Sequence, residues 1–423
     1  MEIPAYLASD LVEGQRRSVQ SLRSILDAFG RPERRIPSLL IGGTNGKGST
    51  QAFLAAMLRA SGHRVGTFTS PAMLDFHDQI ATDEGPISAE EAQSIWEEAR
   101  SRPGTRALTL FEAATFLAFE FFARRRVDIA LIEVGLGGAH DATNLADPML
   151  SLVTEIDRDH CAILGSTLDA IAEEKAGIAR PGRRLLSMAR GRAGAVLKRT
   201  AEAIGAHVED VPRFARLERT ATGWRYRSGT RMWDGMWPRL NAPYQEANGL
   251  LAIRALEHLE SMGFSIHDDA AKEGFCRATL PGRCEWLRQV RGLRILFDGA
   301  HNPHGARGLL RSLPPRRNDS PRVLILSIFS DKDIEGIVEE LGTGFDLCLC
   351  TTSGAPRALS PHRLSERVRR SVHYPLDVIS APSPARALET AAAHSPDLIV
   401  AAGTLSLYRP LRALGFVPEP SSP

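Results

Sequence analysis

The stretch GGTNGKGST at residues 42–50 has the residue types and spacing of a phosphate-binding loop. It follows an apolar run at residues 38–41 that is typical of a strand, and it opens a helical pattern. Glycines let backbone N–H groups converge on phosphate oxygens, and the N-terminus of the following helix adds partial positive charge. Lys47 can reach the terminal phosphates, and Ser49 must supply the metal-binding hydroxyl because Gly48 directly follows the lysine. The predicted nucleotide-binding residues of this loop are Gly43, Thr44, Asn45, Gly46, Lys47, Gly48, Ser49 and Thr50.

Lysine is rare in this chain, since only five lysines occur among its 52 lysine and arginine residues. A glycine-rich turn without a ligand would not explain why one of the five is Lys47. Lys175 stands beside Glu173 and Glu174, which also suits an exposed lysine. Arginine cannot replace an amine that must react, because guanidinium stays protonated. Reaction of Lys175 with CO₂ would give a carbamate, whose oxygens could bind a second Mg²⁺.

Two further polar side chains follow apolar strand patterns. Glu133 lies near the carboxyl end of the run VDIALIEV, where doubly wound sheets bind ligands. A carboxylate there is costly unless it is paired or bound to metal, so we predict a Mg²⁺ ligand or a water-mediated contact to Mg²⁺, with a salt-bridged strand end as the alternative. His160 follows another strand pattern and could converge on the same site.

A second group of candidate residues lies in the last third of the chain. Arg283 closes the sequence PGR, and Asp298 and His301 belong to DGAHNP at a strand end. Their types suit a polyphosphate, its metal and a transferring phosphoryl group. A role only in turn formation would not explain His301. The segment SDKD at residues 330–333 is a weaker candidate for the same site.

The hydrophobic pattern alternates between strands and helices, which predicts an α/β fold. We predict a P-loop-type doubly wound parallel sheet at residues 1–281, with a small antiparallel insertion at about residues 208–237. A smaller Rossmann-like α/β domain is predicted at residues 282–417, followed by a disordered tail at 418–423. A chain of 423 residues is too long for one core, so its length predicts two or three units with a cleft.

Composition narrows the classes of partner. The net charge of +2 and the absence of a basic stripe argue against nucleic acid and membrane surfaces, so small molecules are expected. No membrane span is visible, and the N-terminus lacks a secretory signal pattern, which favours a cytoplasmic location.

The order and spacing of eight motifs resemble the folylpolyglutamate synthase and dihydrofolate synthase family of the Mur ligase superfamily. These motifs are GTNGKGST, LFEAATFLAF, IEVGLGGAHDATN, DRDHCAILG, EEKAGI, PGR, DGAHNP and SDKD. The resemblance implies a large ATPase domain joined to a smaller Rossmann-like domain, with catalysis in the cleft between them and a monomeric chain. The metal ligands that it implies are Ser49, Ser70, Glu133, His160 and carbamylated Lys175. It implies an adenine contact at Asn248, and contacts to phosphate and the amino acid at Arg283, Asp298 and His301. The catalytic residues that it implies are Lys47, Lys175, Asp298 and His301.

The implied reaction uses ATP and two Mg²⁺ ions to convert a substrate carboxylate, pteroate or folate, into an acyl phosphate. The amino group of L-glutamate then attacks and expels phosphate. Metals and cations would offset the charge on the γ-phosphoryl group, and the fold would align the two substrates.

Several loops depart from the usual family pattern. Ala72 replaces a histidine and Gln79 an arginine after the second strand, Ala139 and His140 stand where arginine and leucine are usual, and Tyr244 replaces a histidine. These changes leave the phosphate machinery intact and surround the acceptor and adenine. They favour a related ligase with a non-folate acceptor as the alternative. A nucleotide-binding regulator without ligase activity and a P-loop hydrolase are further alternatives, and the intact site residues and the second domain argue against them.

Overall fold

The computed structural model describes residues 3–8, 10–12, 19–102, 105–289, 292–317 and 319–419. The chain divides into two compact units. The first unit comprises Met1–Asn241 and Gln245–Thr279, and the second comprises Ala242–Tyr244 and Leu280–Pro423. The boundary predicted after residue 281 stands two residues from this division, and no sequence pattern indicates that Ala242–Tyr244 belong to the second unit.

A sheet of eight strands, counted over the described residues, forms the centre of the first unit. Its strands are β1 Ser38–Gly42, β2 Val65–Phe68, β3 Ile80–Thr82, β4 Gly85–Pro86, β5 Ile129–Glu133, β6 Leu150–Val153, β7 Arg184–Ser187 and β8 His207–Asp210. Their order is β4-β3-β2-β5-β1-β6-β7-β8. The pairs from β2 to β8 are parallel, and β3 and β4 add an antiparallel edge.

Burial explains the apolar runs seen in the sequence. Every residue of β1 and β5 is buried, as expected for central parallel strands that are covered on both faces. The helix Leu110–Arg125 begins with a reciprocal capping box between Thr109 and Glu112 and is buried along most of its length.

The helices of the first unit are α1 Ala5–Ala8, α2 Gln20–Ala28, α3 Lys47–Ala60, α4 Ala89–Arg100, α5 Leu110–Arg125, α6 Cys161–Leu164, α7 Leu168–Ala176, α8 Gly191–Ala203, α9 Gln245–Ser261 and α10 Asp268–Arg277.

The predicted insertion is a three-stranded antiparallel sheet in the order β11-β10-β9. Its strands are β9 Ala215–Thr220, β10 Gly223–Ser228 and β11 Met232–Met236. Trp224 and Tyr226 of β10 are buried and alternate with Arg225 and Arg227, and Trp233 of β11 is also buried. This alternation is the pattern of a sheet with one covered face.

Seven strands, counted over the described residues, form the sheet of the second unit in the order β16-β15-β14-β17-β13-β12-β18. They are β12 Glu285–Gln289, β13 Arg294–Phe297, β14 Arg322–Leu326, β15 Leu347–Cys350, β16 Asp377–Ser380, β17 Leu398–Ala402 and β18 Phe416–Pro418. The pairs between β13 and β16 are parallel, and β12 pairs antiparallel with β13 and β18. The helices are α11 Pro303–Ser312, α12 Ile334–Leu341, α13 Pro361–Ser371, α14 Pro384–Ala393 and α15 Tyr408–Ala413.

The predicted tail needs a correction. Pro418 ends β18, and the N–H of Glu419 donates to the carbonyl of Trp286 at 2.9 Å. The prediction of disorder is therefore wrong for Pro418 and Glu419, because pairing with β12 provides hydrogen-bond partners for their backbone. Residues 420–423 lie outside the described residues.

Short 3₁₀ helices complete the described structure, at Pro32–Arg34, Phe76–Gln79, Thr105–Ala107, Ala142–Leu145, Val211–Arg213, Gly342–Gly344 and Leu405–Leu407. Among the described residues, no helix combines the length and apolar character needed to span a membrane.

Candidate active site

The strand register brings the predicted loop and carboxylate together in the first unit. Near the carboxyl end of β1, Ile41 is paired with Glu133 on one side and Gly42 with Val153 on the other. The carboxyl ends of parallel strands meet at one edge of the sheet, so the residues that follow β1, β5 and β6 share that edge.

Two glycines of the loop occupy positions that no other residue could fill. Gly43 has φ +131°, and a Cβ there would lie 1.8 Å from Thr154 Oγ1. Gly46 has φ +89°, and a Cβ there would lie 2.0 Å from Asn248 Oδ1. Both φ values favour glycine, and the close neighbours remove any room for a side chain. Asn248, expected to contact adenine, thus packs against the phosphate loop itself.

The segment after β6 holds the loop from one side. Thr44 N–H donates to Glu155 O at 2.9 Å, and Thr44 Oγ1 donates to Asp157 O at 2.9 Å. Thr154 Oγ1 donates to Asn45 O at 2.6 Å. These bonds fix the loop before any ligand binds, which is the preorganisation that electrostatic catalysis requires. Thr154 was not among the predicted site residues; its position directly after β6 was the available signal.

Lys47 begins α3 and is directed back over the loop. Its Nζ lies 3.2 Å from Thr44 O, 3.4 Å from Gly43 O and 3.9 Å from Glu133 Oε1. Glu133 is only 5% exposed, and its Oε2 accepts the Ser70 N–H at 3.3 Å. The structure therefore brings Lys47, Glu133 and Ser70 together at one edge.

Two hydroxyls of α3 have capacity for a ligand. Ser49 Oγ and Thr50 Oγ1 are buried and have no hydrogen-bond partner among the described residues. Buried polar atoms in native proteins are usually partnered by protein, water or a bound ion. Hydroxyl and carboxylate oxygens suit a hard cation such as Mg²⁺, so Ser49 and Glu133 fit the predicted metal chemistry.

Lys175 lies in α7 and is not a surface lysine. It is 4% exposed, and its Nζ donates to Gly43 O at 2.8 Å. Burial, followed by the positive charge of Lys47, lowers the pKa of the Lys175 amine to about 7. An amine with this pKa is substantially neutral near pH 7, and only a neutral amine is a nucleophile.

His160 follows β6 in the left-handed backbone region, with φ +51°, and precedes α6. Its Nε2 lies 4.0 Å from Asp159 Oδ1, and the charge of Asp159 partly opposes the lowering of the Lys175 pKa. Asp159 therefore faces the same region as Lys175. No group of three or more His, Cys, Asp or Glu side chains that could hold a metal occurs in the described ranges.

In the second unit, Asp298 organises the loop that follows β13. Its Oδ2 accepts the Tyr244 hydroxyl at 2.6 Å and the Cys284 N–H at 2.8 Å, and its Oδ1 accepts the Ala300 N–H at 2.8 Å. Burial raises the pKa of Asp298, although these bonds and the nearby Arg283 oppose that rise. Both carboxylate oxygens are thus engaged within the protein.

The other predicted residues of this unit lie along the same loop. His301 Nδ1 donates to Gly299 O at 2.9 Å, and Arg283 Nη1 donates to Gly282 O at 3.1 Å. A Cβ on Gly299 would lie 2.9 Å from Arg283 Nη1, so the guanidinium packs directly on this glycine. Tyr244 was noted only as a departure from the family pattern, and its bond to Asp298 was not predicted.

Comparisons with known proteins give the family. Models of the Mur ligase middle domain and of the Mur ligase glutamate ligase domain match residues 41–184 and 282–405. The dihydrofolate synthase/folylpolyglutamate synthase of Bacillus subtilis is 32% identical over 346 residues, which cover 78% of this chain and 80% of that protein. The chain belongs to the dihydrofolate synthase/folylpolyglutamate synthase family. It is therefore an ATP-dependent ligase, as its motifs predicted.

Solved structures of this family share the fold along nearly the whole chain. Escherichia coli FolC in complex with DHPP and ADP has a TM-score of 0.84 and 26% identity, over 97% of this chain and 96% of that one. The bifunctional enzyme of Yersinia pestis with AMPPNP and a Mn ion has a TM-score of 0.83 and 26% identity, over 95% and 94%. The predicted two-domain α/β fold is confirmed, and these relatives bind an adenine nucleotide, in the second case with a divalent metal.

Proposed function

We propose that this protein uses ATP to activate the carboxylate of dihydropteroate or a folate and joins it to the amino group of L-glutamate. The observation that carries the proposal is the convergence on the phosphate loop of Lys47, Glu133 and a buried Lys175 with a lowered pKa. A nucleotide-binding regulator needs the loop but has no need of a buried reactive amine beside it. The relatives named above support the choice of substrates.

The reaction has two balanced steps. A carboxylate oxygen of the acceptor attacks the γ-phosphorus of ATP, the bond to the β-phosphate oxygen breaks, and ADP leaves. The glutamate amine then attacks the acyl carbon, a proton leaves the nitrogen, and the bond to phosphate breaks. Lys47 and the loop N–H groups offset the charge on the γ-phosphoryl group during the first step.

We assign Lys175 a carbamate. Its neutral amine attacks the carbon of CO₂, an N–C bond forms, one C–O π pair moves onto oxygen, and the nitrogen releases a proton. The carbamate would supply an oxygen ligand for Mg²⁺, and the described residues contain no group of three or more His, Cys, Asp or Glu side chains that could hold the ion without it. Ser49 would hold one Mg²⁺, and Ser70, Glu133, His160 and the Lys175 carbamate a second; bound Mg²⁺ supplies charge neutralisation to the phosphates.

A different acceptor is the second candidate, and the loop after β2 favours it. The amide of Gln79, where the family usually has arginine, is buried and donates to Phe76 O at 2.9 Å. Asp78 accepts the N–H groups of Met73, Leu74 and Asp75. This loop therefore uses its polar groups internally, and a non-folate carboxylate is the alternative acceptor.

An acceptor screen tests the proposal. ADP release would be measured with dihydropteroate, tetrahydrofolate and non-pterin carboxylates, each with L-glutamate or another amino acid. We expect ADP and phosphate only when a pterin carboxylate and L-glutamate are both present. Turnover with a non-pterin carboxylate but with no pterin carboxylate would favour the second candidate. ATP turnover that does not change when any acceptor is added would overturn both.

A further inference from the structure

His140 holds the carboxylate of Glu174, the residue that precedes Lys175. The Nδ1 atom of His140 lies 3.0 Å from Glu174 Oε2 and 3.3 Å from Oε1, and its backbone N–H donates to Oε1 at 3.1 Å. An ionised carboxylate can only accept hydrogen bonds, so Nδ1 carries the proton in this arrangement. One residue thus supplies two donors to a single carboxylate.

The backbone of Gly137 and Gly138 packs closely against Glu174. A Cβ on Gly137 would lie 2.8 Å from Glu174 Oε1, and one on Gly138 would lie 2.6 Å from Glu174 O. Ala139 N–H donates to Glu174 O at 2.8 Å. A Cβ on Gly138 would also lie 3.0 Å from Lys175 Cα, so the loop after β5 contacts α7 directly at the turn that carries Lys175.

The pair adds little to global stability by its position. The side chain of His140 is 59% exposed and that of Glu174 is 19% exposed. A pair with this much exposure contributes little to the free energy of unfolding, because solvent screens its charges. An effect of His140 on the site would therefore be separable from an effect on folding.

We infer that His140 is a positioning residue that, through Glu174, holds the Lys175 amine in the orientation in which it captures CO₂. This inference rests on the carbamate assigned under the proposed function. His140 stands outside the phosphate loop, and the Lys175 amine donates its hydrogen bond to Gly43 O rather than to His140.

The test compares variants of the full-length enzyme in ¹³C-labelled bicarbonate. Carbamate is read from its ¹³C NMR signal, which Lys175→Arg must lack, because guanidinium forms no carbamate. His140→Ala should raise the bicarbonate concentration for half-occupancy about tenfold, the lower end of the effect of removing a group that orients a metal ligand. His140→Asn should restore most of the occupancy, because its amide can donate to Glu174.

Arg192→Ala is the matched control. Arg192 pairs with Asp169 at the start of the same helix at 2.7 Å and is highly exposed, so this variant loses an ion pair to α7 without touching Glu174. We expect wild-type occupancy in Arg192→Ala, and in His140→Ala a lower kcat at limiting bicarbonate that saturating bicarbonate restores.

Wild-type occupancy in His140→Ala would overturn the positioning role and leave the carbamate intact. An equal loss in Arg192→Ala would overturn it too, because the effect would then be general to α7. A wild-type protein without the signal would overturn the carbamate and this inference together, whereas the ligase reaction is tested separately by ADP release.

Discussion

The phosphate loop of the first unit and the Asp298 loop of the second unit both follow strands and both carry buried polar residues, but their hydrogen bonds differ. Around the phosphate loop, the buried hydroxyls of Ser49 and Thr50 have no partner in the described chain. At the second loop, Asp298 accepts three hydrogen bonds through its two oxygens. The first loop has unused capacity for a ligand, and the second is internally satisfied.

This difference separates two reasons for burying a polar group. An unpartnered hydroxyl is a cost to the folded state that a bound phosphate or metal can offset, which indicates a binding role. A carboxylate whose two oxygens already accept hydrogen bonds within the protein fixes the backbone around it, and it influences the reaction by positioning neighbouring residues. The catalytic role predicted for Asp298 stays a prediction, while its structural role is set by these three contacts.

The largest effect expected from this comparison is on Lys47. Lys47→Ala should lower kcat about 100- to 1,000-fold, because a preorganised charge at the γ-phosphoryl group is lost. Thermal unfolding should change little, since the contacts of its amine are 3.2 Å or longer. Lys198→Ala is the control, because Lys198 is exposed and pairs only loosely with Glu202 at 3.7 Å. Comparable activity in the two variants would contradict the assignment.

A smaller effect, on stability, is expected at Asp298. Asp298→Ala removes the carboxylate that accepts from Tyr244, Cys284 and Ala300, and should lower the free energy of unfolding of the second unit by about 2–4 kcal/mol. The amides of Cys284 and Ala300 should exchange hydrogen faster, which amide exchange measured by mass spectrometry would detect. Asp331→Ala, which removes only a 3.5 Å exposed contact to Arg357, is the control. Unchanged exchange in Asp298→Ala would show that the carboxylate does not organise the loop.

The phosphate loop could be predicted from sequence because its signal is local. A strand, a run of glycines, a lysine and a helix lie within a few residues, and each has a physical reason to be there. The antiparallel insertion and the parallel strands of the second unit were predictable for a similar reason, since alternation and apolar runs reflect burial.

The environment of Lys175 was not predictable from its neighbours. The two preceding glutamates suggested a solvated helix face, yet the amine is buried against Gly43, which is 132 positions away in the chain. Only the strand order, with the phosphate loop between β5 and β6, brings α7 to it. The sequence offered two signals for Lys175, its rarity in an arginine-rich chain and the motif EEKAGI, and neither described its environment.

The bond between Tyr244 and Asp298 was beyond prediction for a related reason. The two residues are 54 positions apart, and the short segment Ala242–Tyr244 joins the second unit while the chain on either side belongs to the first. A segment of three residues is too short to show a hydrophobic periodicity that would indicate which unit it joins. The pairing of Pro418 was hidden similarly, because a proline-rich end reads as disordered unless its partner strand is known.

One isotope measurement can determine whether the acceptor carboxylate is phosphorylated before the amine attacks it. The acceptor identified in the ADP-release screen would be prepared with ¹⁸O in its carboxylate, and the phosphate released during turnover would be analysed by mass spectrometry. We expect each phosphate to carry one oxygen from the acceptor, because the bond that breaks in the second step joins that oxygen to the acyl carbon. Phosphate without ¹⁸O, with amide product formed at the normal rate, would contradict the acyl phosphate.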